Sequence, residues 1–212
     1  MTNFIPLFPL GIVVYPGEEL NLHIFEPRYK QLINDCFTAK RPFGMPPVIN
    51  KLVSETGTLV EITEISKVYD NGEMDIKTKG TAVFKILEKI QELPDKLYHG
   101  AIVTYPRISY KGSSALMKKN LQGIRELHSF LNITKDFNRS DEELQSFDIA
   151  HHAGMAIEDE YQILQFDQEL HRQEFIKRHL VKILAVMAQM DLLKNKIKLN
   201  GHFKNLEGFS FS

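Results

Sequence analysis

One cysteine, Cys36, stands in 212 residues, which excludes an internal disulfide and any Cys-x-x-Cys metal knuckle. It reads as a core thiol and fits a reducing compartment. No stretch approaches the roughly 20 apolar residues of a membrane span, and Met1-Thr2-Asn3-Phe4 lacks the basic and apolar regions of a secretion signal. The expectation is a cytoplasmic protein with no membrane partner. Charge of one sign is also lacking. The 26 basic and 27 acidic residues leave a formal charge of −1, which argues against nucleic acid or anionic lipid as a partner and leaves only a local basic patch to attract either.

Sites for chemistry are scarce as well. No two of the twelve glycines stand five apart, so a phosphate-cradling Gly-x-x-x-x-Gly-Lys loop is excluded. None stand two or four apart, which removes the Gly-x-Gly dinucleotide fingerprint and the Gly-x-Ser-x-Gly nucleophile elbow. There is no His-Glu-x-x-His motif. His151 and His152, adjacent on a helix, point about 100° apart, and His171 and His179 are about 12 Å apart along a helix axis, so neither pair is a ready ligand set. The expectation is a protein without catalytic residues, metal or cofactor, and not an enzyme.

What is present falls into two halves of different periodicity. In the first, Pro16-Gly17 is a turn pair, and Leu20, Leu22 and Ile24 alternate with Asn21, His23 and Phe25 in the manner of a strand. Pro27 suits the first turn of a helix carrying Tyr29, Leu32, Ile33, Cys36 and Phe37. Glu26 and Arg28 read as a cap and an ion pair. Further strands are expected at Thr58 to Ile65, at Met74 to Thr78 after the Asp70-Asn71-Gly72 hairpin, at Gly80 to Leu87 and at Ala101 to Tyr105. Many short antiparallel pieces predict a small closed or half-open barrel.

The second half follows Lys111-Gly112-Ser113-Ser114. Met117, Leu121, Ile124, Leu127 and Leu131 share a helix face, although Gly123 lowers its helix propensity by about 1 kcal/mol relative to alanine. Ser140-Asp141-Glu142-Glu143 has the pattern of a capping box, starting a helix through Leu144, Phe147 and His151 that Gly154 ends. A short helix around Ile157, Tyr161 and Leu164 leads to Asp167 as N-cap of a long last helix. There Ile176, Leu180, Ile183, Met187, Met190, Leu193 and Ile197 recur at steps of three and four. The fold class is α+β, with a β-rich unit over 1–111, a helical unit over 112–200 and a tail over 201–212.

One stretch is more specific than pattern. Pro6-Leu7-Phe8-Pro9-Leu10-Gly11 through Tyr15-Pro16-Gly17, continued by Leu22-His23-Ile24-Phe25-Glu26-Pro27-Arg28-Tyr29, resembles the N-terminal domain of Lon proteases. Gly57-Thr58-Leu59-Val60, the Asn-Gly hairpin, Gly80 and Phe84-Lys85-Ile86 extend the likeness, and Met155 to Leu164 with Leu170 and Arg178 continue it by pattern. The resemblance implies a PUA-like pseudo-barrel and, in a chain expected to carry neither ATPase motor nor peptidase, the recognition of polypeptide substrates. The implied partners are unfolded or hydrophobic polypeptides, with a separate protease beside them. A concave apolar surface between barrel and helices is the expected site, with Tyr15, Phe25, Phe43 and Met45 as candidate lining residues or, equally, core. PUA-like barrels elsewhere bind RNA, and an RNA-binding module is the first alternative; a hydrolase assembled from distant residues is the second. Lys194, Lys196, Lys198 and Lys204 read as a solvated helix end. Phe203, Phe209 and Phe211 in the tail are expected to pack back on the domain.

Overall fold

The computed structural model describes residues 3–203 apart from 136 and 138, with 199–203 described by backbone alone. The tail residues Lys204, Phe209 and Phe211, and the Phe203 side chain, lie outside the described part. Strands β1 (Phe4–Pro6), β2 (Glu19–Ile24), β3 (Phe43–Met45), β6 (Thr56–Val68), β7 (Met74–Ile90) and β8 (Gly100–Thr104) form one antiparallel sheet. A separate two-stranded piece pairs β4 (Val48–Ile49) with β5 (Leu52–Val53).

The spine of the sheet is β7, a single strand where two were expected. It pairs β6 along its length on one side, with β2 and then β8 on the other. Gly80 does not break it; a Cβ there would collide with the Tyr15 carbonyl, so the glycine admits a crossing chain. Gly17 (φ +91) turns that crossing chain, its N–H donating to Gly80 at 2.8 Å, while the Gly80 N–H donates to Glu18 at 2.8 Å. At the other end of β7, Gly72 (φ +75) closes the predicted hairpin.

The run from Leu7 to Tyr15 bends at Gly11–Ile12 and forms no continuous ladder. Single bridges join Leu7 to Gly44 and Leu10 to Pro47. They tie the edges β1 and β3 together, so the sheet curls into a half-open pseudo-barrel and does not close. The prolines explain this, since Pro6, Pro9, Pro46 and Pro47 have no N–H to give to a continuous ladder.

Helix α1 (Pro27–Thr38) buries Leu32, Ile33 and Cys36 against Ile24, Phe43, Met45, Val60, Met74 and Ile76. Burial pushes the Cys36 thiol up to about 12, as expected of an inert core residue. Glu26 occupies the N-cap position but makes no capping bond; it pairs with Arg28 at 2.7 Å.

The helices of the second half are α2 (Ser114–Leu131), α3 (Ser146–Ile149) with a 3₁₀ turn at Ala150–His152, α4 (Ile157–Gln165) and α5 (Glu169–Phe203). Two expected caps are displaced. Residues 141–143 form a turn, in which the Asp141 carboxylate is held by Arg125 at 2.6 Å. The capping box is made instead by Gln145 and Asp148. For α5, the Gln168 carbonyl accepts from the His171 and Arg172 N–H groups, the Glu169 N–H donates to Ser109, and Asp167 lies one residue outside. Gly154 (φ +67) does end the α3 segment. Gly123 places α2 close to α5, since a Cβ there would sit 3.2 Å from Leu180 Cδ1.

Candidate functional site

Two polar clusters fix the helices, one to the linker that follows β8 and the other to the crossing chain at Tyr15. In one, Arg172 and Glu169 are paired at 3.0 Å with side chains 0% and 2% exposed. The Arg172 guanidinium also donates to the carbonyls of Phe166 (2.6 Å) and Ser109 (2.7 Å) and lies over the Phe147 ring. Glu169 accepts from the Ser146 N–H at 2.9 Å and its hydroxyl at 2.8 Å. The linker entering α2, the start of α3 and the start of α5 are thereby held at one buried point, and such a pair persists only because every donor and acceptor has a partner.

The second cluster centres on Tyr15. Its ring stacks on Phe147 at 5.2 Å and touches His151 at 4.7 Å, and its hydroxyl donates to the Glu160 carbonyl at 2.9 Å. His151 lies between Glu160 (2.8 Å) and Glu18 (3.3 Å). Burial opposes its charge, but the two carboxylates outweigh that and lift it to about 9. Its neighbour His152 is pushed down to about 4, first by burial. A cleft of about 520 Å³ opens beside this cluster, lined by Ile12, Pro16, Glu18, His151 and Glu160 among others. No three His, Cys, Asp or Glu side chains among the described residues are placed to hold a metal ion.

Three of the expected lining residues are therefore core. Tyr15 and Phe43 are 0% exposed and Met45 is 2%; Tyr15 packs in the core shared with the helices, and Phe43 and Met45 pack with α1. Phe25, at the end of β2, is 59% exposed. The structure does not gather these four residues into one surface.

An open apolar surface lies on α5. Its stripe is buried at Ile176 and Leu180, half-buried at Ile183 and Met187, and exposed at Met190 (61%), Leu193 (59%) and Ile197 (63%). The helix is 35 residues long, about 50 Å at 1.5 Å per residue, and outruns the helices that cover its first half. Beside the exposed part, Phe130 at the end of α2 completes a groove of about 370 Å³ with Met187, Met190, Leu193 and Ile197, rimmed by Asp191 and Lys194. The four apolar α5 residues, Met187, Met190, Leu193 and Ile197, belonged to the predicted stripe; Phe130 did not. The available signal was length: an apolar period that continues farther than the preceding helices could cover.

This arrangement offers no nucleophile beside a base at the groove; it offers flexible thioether and aromatic side chains with a polar rim, a surface suited to apolar side chains of varied shape. Among the described residues no helix is long and apolar enough to cross a membrane.

A family model described as the ATP-dependent protease La (LON) substrate-binding domain matches residues 5–194. A solved Lon N-terminal domain protein from Xanthomonas campestris is 21% identical, with 81% of this chain and 95% of that one covered and a TM-score of 0.63. The N-terminal domain of Mycobacterium avium complex Lon protease is 11% identical, with 84% of this chain and 98% of that one covered and a TM-score of 0.61. Both likenesses concern the fold. A comparison with curated proteins finds no match.

Proposed function

Because the chain belongs to the LON substrate-binding domain family, we propose that it recognises unfolded or hydrophobic polypeptide in the cytoplasm through the groove between α2 and distal α5. The observation that carries this reading is the methionine-lined apolar surface at Phe130, Met187, Met190, Leu193 and Ile197. A separate protease is the partner that would consume what the groove holds. A groove of this size accepts one or two large apolar side chains, and contacts without a full interface give micromolar binding, about 8 kcal/mol at 1 μM.

Fluorescence anisotropy with a labelled peptide rich in Phe and Leu, against a polar scramble, tests it. The apolar peptide should bind with little dependence on salt. Met190→Glu should weaken binding about 10- to 100-fold, the scale of one buried apolar side chain. Undiminished binding by that variant, or binding that collapses with salt and favours RNA, would remove the groove from the function.

A further inference from the structure

Strand β2 has a neighbour on one side only. It pairs β7 from Glu19↔Lys79 to Ile24↔Met74, and antiparallel pairing turns the N–H and C=O of alternate residues toward the partner. The other half of its backbone groups face away. Among the described residues no strand, isolated bridge or backbone hydrogen bond meets that outer edge. The partner chemistry is set by these groups: a row of unpaired donors and acceptors at strand spacing is satisfied in register by another extended backbone.

The side chains narrow the class further. On one face Leu20 and Leu22 are half-buried beside the core that holds Ile24; on the other, Glu19 and His23 are exposed and Asn21 lies between them. His23 is anchored by Asp75 at 2.7 Å and Glu73 at 3.3 Å. Its ring stacks beside that of Phe25, 6.2 Å away with the planes 24° apart, so the edge ends in an exposed aromatic pair. A strand laid here continues the Leu20–Leu22 face with its apolar residues and meets Glu19 and His23 with its polar ones. Strands apolar on both faces are disfavoured, since one face would bury against charge.

We propose that the outer edge of β2 captures a polypeptide segment by strand addition, selecting an extended sequence that alternates apolar with polar residues and ends in an apolar side chain packed on Phe25. This rests on the polypeptide-recognition reading but uses a surface distinct from the α2–α5 groove, so one chain can hold a client at two points.

Backbone pairing has a readout that side-chain contact lacks. A labelled octapeptide alternating Val with Lys or Thr and ending in Phe is prepared unmodified and with backbone N-methyl groups on either the odd or the even residues. Strand addition predicts at least tenfold weaker binding for one N-methyl phase and near-unchanged binding for the other, because only alternate N–H groups face β2. Phe25→Ser should weaken the unmodified peptide several-fold, and Met190→Glu should not. Equal behaviour of the two phases, loss of binding in Met190→Glu, or a dimer in sedimentation that excludes the peptide would overturn strand addition. If the Phe- and Leu-rich groove peptide still binds, only strand addition has failed; if neither peptide binds, the recognition reading itself has.

Discussion

The two halves of α5 carry the same apolar period and meet different fates. Over its first turns, Ile176 and Leu180 are 0% and 2% exposed, packed against α2, α3 and α4. Farther on, Met190 and Ile197 stand 61% and 63% exposed. Periodicity states which face of a helix is apolar; it does not state whether this chain covers that face. The proximal half is architecture, and the distal half stands open to solvent.

The sharpest way to break this contrast is at the buried pair. Arg172→Met leaves the Glu169 carboxylate buried without its cation and takes donors from Ser109 and Phe166. A loss of about 3–5 kcal/mol is expected in urea unfolding, the cost of orphaning a buried charge. A loss below 1 kcal/mol would mean that the linker, α3 and α5 are not held at that point.

Truncation along the stripe should give the next effects. Leu180→Ala removes a buried side chain that faces Gly123 across the helix pair, costing about 2–5 kcal/mol. Met190→Ala, at an exposed position, should change stability by less than about 0.5 kcal/mol. Equal losses in the same unfolding assay would show that the distal face is covered after all.

Smaller still is the contribution of pH. His151 is lifted from 6.5 to about 9 in the folded chain by Glu160 and Glu18 against the effect of burial. A raised pKa stabilises fully below pH 6.5 and loses that contribution as pH rises through about 9. His152, held near 4, stays neutral across this window, and burial keeps the Tyr15 hydroxyl protonated. Thermal midpoints should therefore fall between pH 6.5 and 9, and His151→Gln should flatten part of that decline. Identical pH profiles for the two chains would deny the imidazolium a role between sheet and helices; His23, also raised through its bond to Asp75, accounts for a part common to both.

Much of the fold was legible because it is written in local chemistry. Gly72 in its hairpin, Pro27 opening α1, Gly154 closing α3 and the stripe of α5 each follow from backbone preference or from side-chain spacing. The displaced caps show the limit of such signals: Ser140 and Glu143 have the pattern of a capping box, yet Arg125 draws Asp141 into a turn and Gln145 with Asp148 takes the role instead. The candidate site was less legible. Tyr15, Phe43 and Met45 are large side chains of the kind that line grooves, and only the crossing of the chain at Gly80 and the packing of α1 place them inside.

Residues close together along the chain carried the fold class, the change from strands to helices and the family likeness, since these depend on local chemistry. Only the tertiary structure decided which apolar residues remain in water. Exposure depends on what other segments reach: Leu180 and Met190 lie on the same apolar stripe of one helix, and α2 at Gly123 packs over Leu180 while Met190 stays in water. The free edge of β2 was settled in the same way, because a strand shows its own hydrogen-bonding groups in sequence but shows its neighbours only once the sheet has formed.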